Sequence, residues 1–298
     1  MNADFPKNNL KRPTLLLISL FLFVFNSSYA QEGVYWMGVS TKNPAAIGTP
    51  SDWIIGSYNY AKLPYDQKIS GFIGNADVRI SPKIGSIGVN YINENLDHEN
   101  ISSAELCYAY TFSIEEMGEL NFGFSMGLNK YEETTFDNSI LDQNDPSFIA
   151  PDLRAKYLKT SFGTYFMSKK LDFGISYNFY NELENSYGGE NFSIEFEKNV
   201  ITALGAYRFF IHNKFTVEPN VLLDFSKGNT DKNIGLFANY NGVVWAGYNN
   251  LNFNDTHSVM IGMDIIRKIR AGYSYSFSEI FQEENYGFHE FVLGFRFN

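Results

Sequence analysis

His289 and Glu290 form the most conspicuous chemistry-bearing pair in the chain. An imidazole beside a carboxylate suits acid–base work or metal binding. Both, however, sit in a run where Phe291, Leu293, Phe295 and Phe297 alternate with Glu290, Val292, Gly294 and Arg296. Neighbours on a strand point to opposite faces, so the two cannot act as a dyad. His289 goes with the apolar face, Glu290 with Arg296. If Ser278 lies opposite Phe288 across a hairpin, Ser276 faces Glu290 and Arg270 faces Arg296. That register offers a polar network of Arg270, Glu290 and Arg296, or the ordinary polarity of a barrel interior. Asp97-His98-Glu99 could hold a metal, but adjacent side chains diverge and a solvated loop is the simpler reading. Asp137, Asp142 and Asp145 lack the spacing and glycine of an EF-hand loop, which leaves loop calcium open. There is no Gly-x-Ser-x-Gly elbow for a nucleophilic serine. Cys107 lies mid-strand among Leu106, Tyr108 and Tyr110, where a buried, inert thiol is expected. We expect no catalytic, metal or cofactor site.

The elements that carry these residues are strands. Leu120, Phe122, Phe124, Met126 and Leu128 alternate with Asn121, Gly123, Ser125 and Gly127; Leu171–Phe179 and Ile269–Ser278 repeat the pattern. The period is two, and no stretch sustains a helical one. A soluble sandwich would show solvated Lys and Glu on its polar face. Here that face is Gly, Ser, Asn and Thr, and the other is Phe, Tyr, Leu and Ile. A membrane barrel needs an apolar outer face with aromatics near both interfaces. In lipid it must close on itself, since an open edge leaves backbone groups unpaired. We therefore expect an all-β fold, a transmembrane antiparallel up-and-down β-barrel over residues 52–298. Fourteen strands are predicted near 52–60, 70–79, 83–92, 102–112, 119–130, 157–168, 171–180, 199–211, 214–226, 231–240, 242–250, 256–266, 269–278 and 288–297. Poor alternation over 199–211 and 242–250 leaves twelve or sixteen open. Connections at one end are short, with turn signals such as Ser81-Pro82, His212-Asn213 and Asn241-Gly242. Those at the other end include long ones at 93–101, 131–156, 181–198 and 279–287. This asymmetry predicts short periplasmic turns and longer extracellular loops.

Residues 1–30 read as a signal peptide. Lys7, Lys11 and Arg12 precede an apolar run over Leu15–Phe25, and Ser28-Tyr29-Ala30 offers cleavage after Ala30. Eleven residues span only about 17 Å as a helix, too short for the membrane. Residues 31–51 then form a periplasmic or lumenal lead-in. In it, Asn43-Pro44-Ala45-Ala46 could be a plain turn or a slim segment packed inside the lumen. Integral residence in the outer membrane follows.

Several short motifs now line up in order. They are Asn43-Pro44-Ala45-Ala46-Ile47-Gly48, then Asp145-Pro146-Ser147-Phe148 ahead of Phe162-Gly163-Thr164-Tyr165-Phe166, then Val244-Trp245-Ala246-Gly247-Tyr248. Ala271-Gly272-Tyr273-Ser274-Tyr275-Ser276-Phe277 and Gly287–Phe297 with its His289-Glu290 end the series. Together they resemble the PorP/SprF family. The resemblance implies a non-enzymatic outer-membrane barrel of the type IX secretion system of Gram-negative gliding bacteria. It implies a role in bringing large secreted adhesins to the cell surface or keeping them there. The implied partners are the adhesin's C-terminal secretion domain, other type IX secretion components and membrane lipid. It marks Asn43, Pro44, Ala45, Asp145, Pro146, Trp245, Gly247, His289 and Glu290 as family-motif positions. The Asn-Pro-Ala-Ala segment also resembles the hatch motif of fatty-acid-transport barrels. Passage of hydrophobic small molecules is therefore the second reading.

Charge sharpens the orientation. The 298 residues hold 23 Lys+Arg and 33 Asp+Glu, for a net charge of −10. An acidic chain is a poor nucleic-acid binder. Without residues 1–30 the charge is −12, and the four long connections carry 17 acidic and 3 basic residues. The acidity thus belongs to one end of the expected barrel, where it would steer basic partner surfaces.

Overall fold

A computed structural model describes residues 38–48, 53–62, 68–96, 99–133, 153–187, 190–191, 199–227, 229–251, 256–265, 268–278 and 287–296. Residues 1–30, Asp97-His98, Asp137, Asp142, Asp145 and Pro146 lie outside them. The lead-in contributes a short helix, α1 (Val39–Lys42), and a 3-10 turn (Pro44–Ala46). Fourteen strands follow: β1 (Trp53–Lys62), β2 (Lys68–Ser81), β3 (Gly85–Leu96), β4 (Glu99–Ile114), β5 (Gly118–Glu133), β6 (Leu153–Met167) and β7 (Leu171–Tyr187). Then come β8 (Asn199–Tyr207, continued by Phe209–His212), β9 (Phe215–Ser226), β10 (Asn229–Tyr240), β11 (Val244–Leu251), β12 (Thr256–Ile265), β13 (Ile269–Ser278) and β14 (Gly287–Arg296). A two-residue ladder, Glu190–Asn191, extends the β7 hairpin.

Every strand is antiparallel to its sequence neighbours, and β1 pairs with β14 from Trp53↔Arg296 to Ala61↔Phe288. Each of the fourteen therefore has a partner on both sides, the arrangement that backbone groups require in hydrocarbon. The weak alternation near 208 has a local cause. The ladder between β8 and β9 breaks between Ala206↔Asn220 and Phe209↔Val217. Pro219 stands in that gap and brings no N–H.

The two faces are inverted relative to a soluble protein. Leu106 is 69% exposed, Ile261 60%, and Phe162 and Phe291 more than half, whereas Asn121, Ser258 and Ser274 are fully buried. In water, each large apolar side chain left exposed would forfeit about 1.5–3 kcal/mol of burial. Facing lipid, it forfeits nothing. Near the ends of β11–β14 away from the short turns the outer face turns aromatic and imidazole-rich. Tyr248 Oη lies 2.6 Å from His257 Nδ1 and Tyr273 Oη 2.7 Å from His289 Nδ1. Tyr275 and Phe277 pack beside them. Such amphipathic rings mark a membrane–water interface.

Strands β3–β7 run further than their apolar alternation. β3 continues to Leu96 and β4 begins at Glu99, so the expected loop 93–101 is mostly strand. β5, β6 and β7 likewise reach Glu133, Leu153 and Tyr187. The added stretches carry Glu132 and Arg154, which with Lys130 at the end of the expected strand are joined by ion pairs on one rim. The backbone ladder continues where the apolar signal has stopped. At the other end Asn241 and Gly242 adopt φ of 57° and 66°, as a tight primed hairpin turn requires.

Candidate functional site

The lead-in between Gly38 and Gly48 lies inside the barrel, against the inner faces of β2–β9. Its path is locally encoded. Thr41 closes α1 onto Gly38 O through both its N–H and its hydroxyl. Pro44 disfavours helix at Asn43, which is extended at φ −137° and ψ 109°. Asn43 Oδ1 then accepts from Ala45 N at 2.9 Å and caps the 3-10 turn, with Pro44 at its first position.

Three inward glycines make room for this turn. A Cβ at Gly123 would meet Ala45 N at 2.2 Å and Pro44 C at 2.4 Å; one at Gly163 would meet Asn43 Oδ1 at 2.1 Å; one at Gly174 would meet Asn43 Nδ2 at 2.7 Å. Gly123 and Gly163 are direct cross-strand partners. The fully buried Asn43 donates to Thr164 O at 3.0 Å and Ile175 O at 3.4 Å, while Asn121 donates to Ala45 O at 3.0 Å. Gly48, at φ 65°, lies so close to Ser86 that no side chain fits there.

Charge holds both ends. Lys42 Nζ reaches Asp224 Oδ2 at 3.3 Å, and the Ser176 hydroxyl donates to Lys42 O. Gly48 N donates to Asp77, and Gly48 O accepts from Arg79, whose guanidinium also pairs with Glu119. Midway, Asn90 donates to Ser40 O and accepts from the Ser40 hydroxyl. Lys159 and Glu105 form a buried pair at 2.5 Å, and Lys159 also donates to Thr41 O at 3.3 Å. A buried pair repays its desolvation only when well hydrogen-bonded, and the Ser125 hydroxyl supplies Glu105 with a further bond at 3.2 Å. Ile47 packs on Cys107 and Ala109; Ala45 and Ala46 pack on Tyr165, Met167 and Leu204. Fourteen strands spaced about 4.8 Å and tilted about 40° enclose a circle roughly 28 Å across. A helix with its side chains is about 10–12 Å wide, so the segment lines one side of the interior, along the wall from β2 to β9.

The other motif positions fall elsewhere. Trp245 is buried on the inner face, its ring over Gly262 and Gly272, where a Cβ would meet it at 2.1 and 2.3 Å. Gly247 faces inward beside Met260. His289 joins the outer aromatic belt, while Glu290 is inward and 4% exposed. The hairpin register differs from the expected one by two residues. Ser276 opposes Phe288, Ser274 opposes Glu290, and Arg270 opposes Gly294 instead of Arg296. Arg270 instead grips Asp264 with two contacts of 2.7 Å. The two residues stand directly opposite each other, one step from the Ile265↔Ile269 pair that ends the ladder. Arg208 likewise pairs with Asp172 and Glu218. With Arg79–Glu119, inward arginines on three sides of the short-turn end are each held by carboxylates. Among the described residues no cluster of His, Cys, Asp and Glu could hold a metal.

Inverted faces, an up-and-down sheet pairing first strand with last, and a polar interior define an outer-membrane β-barrel. The fold is similar to Acinetobacter baumannii Omp33 (TM-score 0.50, 9% identity, 83% of this chain and 98% of that one). It is also similar to the Ralstonia pickettii toluene transporter TbuX (0.50, 8%, 87% and 93%) and to the Pseudomonas putida toluene transporter TodX (0.49, 10%, 91% and 95%). At such identities the likeness concerns the fold alone. The family of type IX secretion system membrane protein PorP/SprF matches residues 25–295, and the chain belongs to it. No curated protein sequence matches it.

Proposed function

We propose that this barrel helps deliver a large secreted adhesin of the gliding-motility type to the cell surface, or anchors it there, without catalysis. Family membership supports a secretion role in the outer membrane. The observation that favours a protein partner over a hydrophobic solute is the lumen. Its wall from β3 to β9 presents Asn90, Glu105, Asn121, Ser125, Lys159, Ser176 and Asp224, and the chain's own lead-in lies on it. A polar, occupied wall is a poor conduit for an apolar molecule. The signal peptide cut after Ala30 sends the chain to the periplasm, and the acidic long connections then face outward to meet a basic partner surface.

Co-purification from native outer membrane tests this reading. A very large secreted protein should accompany the barrel, and a deletion strain should leave that protein undelivered or unattached. Normal surface display of every such adhesin in the deletion strain would overturn it. Saturable uptake of a hydrophobic solute, lost in the same strain, would favour the second reading.

A further inference from the structure

We propose that Gly38–Gly48 is a detachable plug, which rests on the β2–β9 wall in the closed state and leaves it as a unit to open a water-filled path. Three observations carry this. First, the barrel wall is complete without the segment. Its fourteen strands pair with one another, and the segment's bonds to them run through side chains on at least one side, with no backbone ladder to lose. Second, most of the bed is polar (Asn90, Asn121, Lys159, Ser176 and Asp224), groups that water can serve. The apolar contacts that opening would uncover are confined to Ile47 on Cys107 and Ala109 and to Ala45 and Ala46 on Tyr165, Met167 and Leu204. Third, the inward wall itself holds polar atoms that the protein leaves unserved. Thr111 Oγ1, Asn121 Oδ1, Ser161 Oγ and Asn178 Oδ1 are buried with no hydrogen-bond partner among the described residues. Polar atoms without a protein partner suit a wall that water can wet. The docked state is thus specific, through the glycine cradle around Asn43 and Ala45. The proposal does not depend on which cargo the barrel serves.

Cys107 provides a native reporter, because it is 4% exposed beneath Ile47 and faces the lumen. Gly123→Val would drive a side chain into the backbone of Pro44 and Ala45 while suiting the strand that bears it. The full chain would be purified and inserted in planar bilayers, with heat-modifiable gel migration confirming the fold. Wild type should conduct little and react slowly at Cys107 with a membrane-impermeant maleimide. Gly123→Val should raise conductance several-fold and the labelling rate at least tenfold. The double variant Lys42→Ala/Asn43→Ala, which leaves the wall untouched, should do the same and serves if Gly123→Val fails to fold. A folded variant with wild-type conductance and an unreactive Cys107 would overturn the proposal. So would a wild-type barrel already fully conducting.

Discussion

Replacing Lys159 by methionine keeps the length and most of the volume of the side chain but removes its charge. Glu105, 3% exposed, then loses its 2.5 Å partner and retains the Ser125 hydroxyl at 3.2 Å. Thr41 O loses its donor as well. Stranding one member of a buried ion pair costs about 3–5 kcal/mol, against about 1 kcal/mol for an ordinary hydrogen bond. Lys159→Met should therefore destabilise the barrel by about 3–5 kcal/mol, and Glu105→Gln by a similar amount through the stranded ammonium. The double variant leaves no buried charge and keeps a donor–acceptor contact with Ser125. Its loss should fall to about 1–2 kcal/mol. Urea unfolding in lipid vesicles, followed by tryptophan fluorescence, measures all four corners of this cycle. A loss below about 1 kcal/mol for Lys159→Met, or a double variant no better than either single, would refute the view that this pair is desolvated and mutually dependent.

Three further perturbations read other parts of the molecule. Gly272→Val should displace the Trp245 ring, shift the emission spectrum to the red and cost about 1–3 kcal/mol, the usual range for overpacking. Leu106→Arg puts a charge on the lipid face near the middle of β4 and should cost about 2–4 kcal/mol, seen as poor folding into vesicles. Gly242→Ala meets no neighbour within 4 Å, so its expected loss of about 1–2 kcal/mol in the same urea titration isolates the left-handed backbone at φ 66°.

The inner and outer faces were legible residue by residue. The exposed Phe162, Phe173 and Phe291 and the buried Ser125, Ser176 and Glu290 lie where period two puts them. The strand ends on β3–β7 were not legible, because Asn, Glu and Lys above the lipid carry no apolar alternation although the ladder continues there. Nor was the bed of the lead-in. Its glycines look like any small inward residues until Asn43 and Ala45 are seen against them.

What the sequence determines by itself is therefore the sidedness of the clearly alternating strands and the membrane as solvent, because alternation is written in consecutive residues; the choice of fourteen strands over twelve or sixteen came from the pairing. What the tertiary structure decides is everything that alternation cannot distinguish. A shift of two residues between β13 and β14 leaves every side chain on its face, yet it places Gly294 opposite Arg270 where Arg296 was expected. Likewise, Gly123, Gly163 and Gly174 become a cradle for Asn43 and Ala45 only once three strands stand side by side. Such contacts depend on register and on chain segments far apart in sequence, and no local periodicity encodes them.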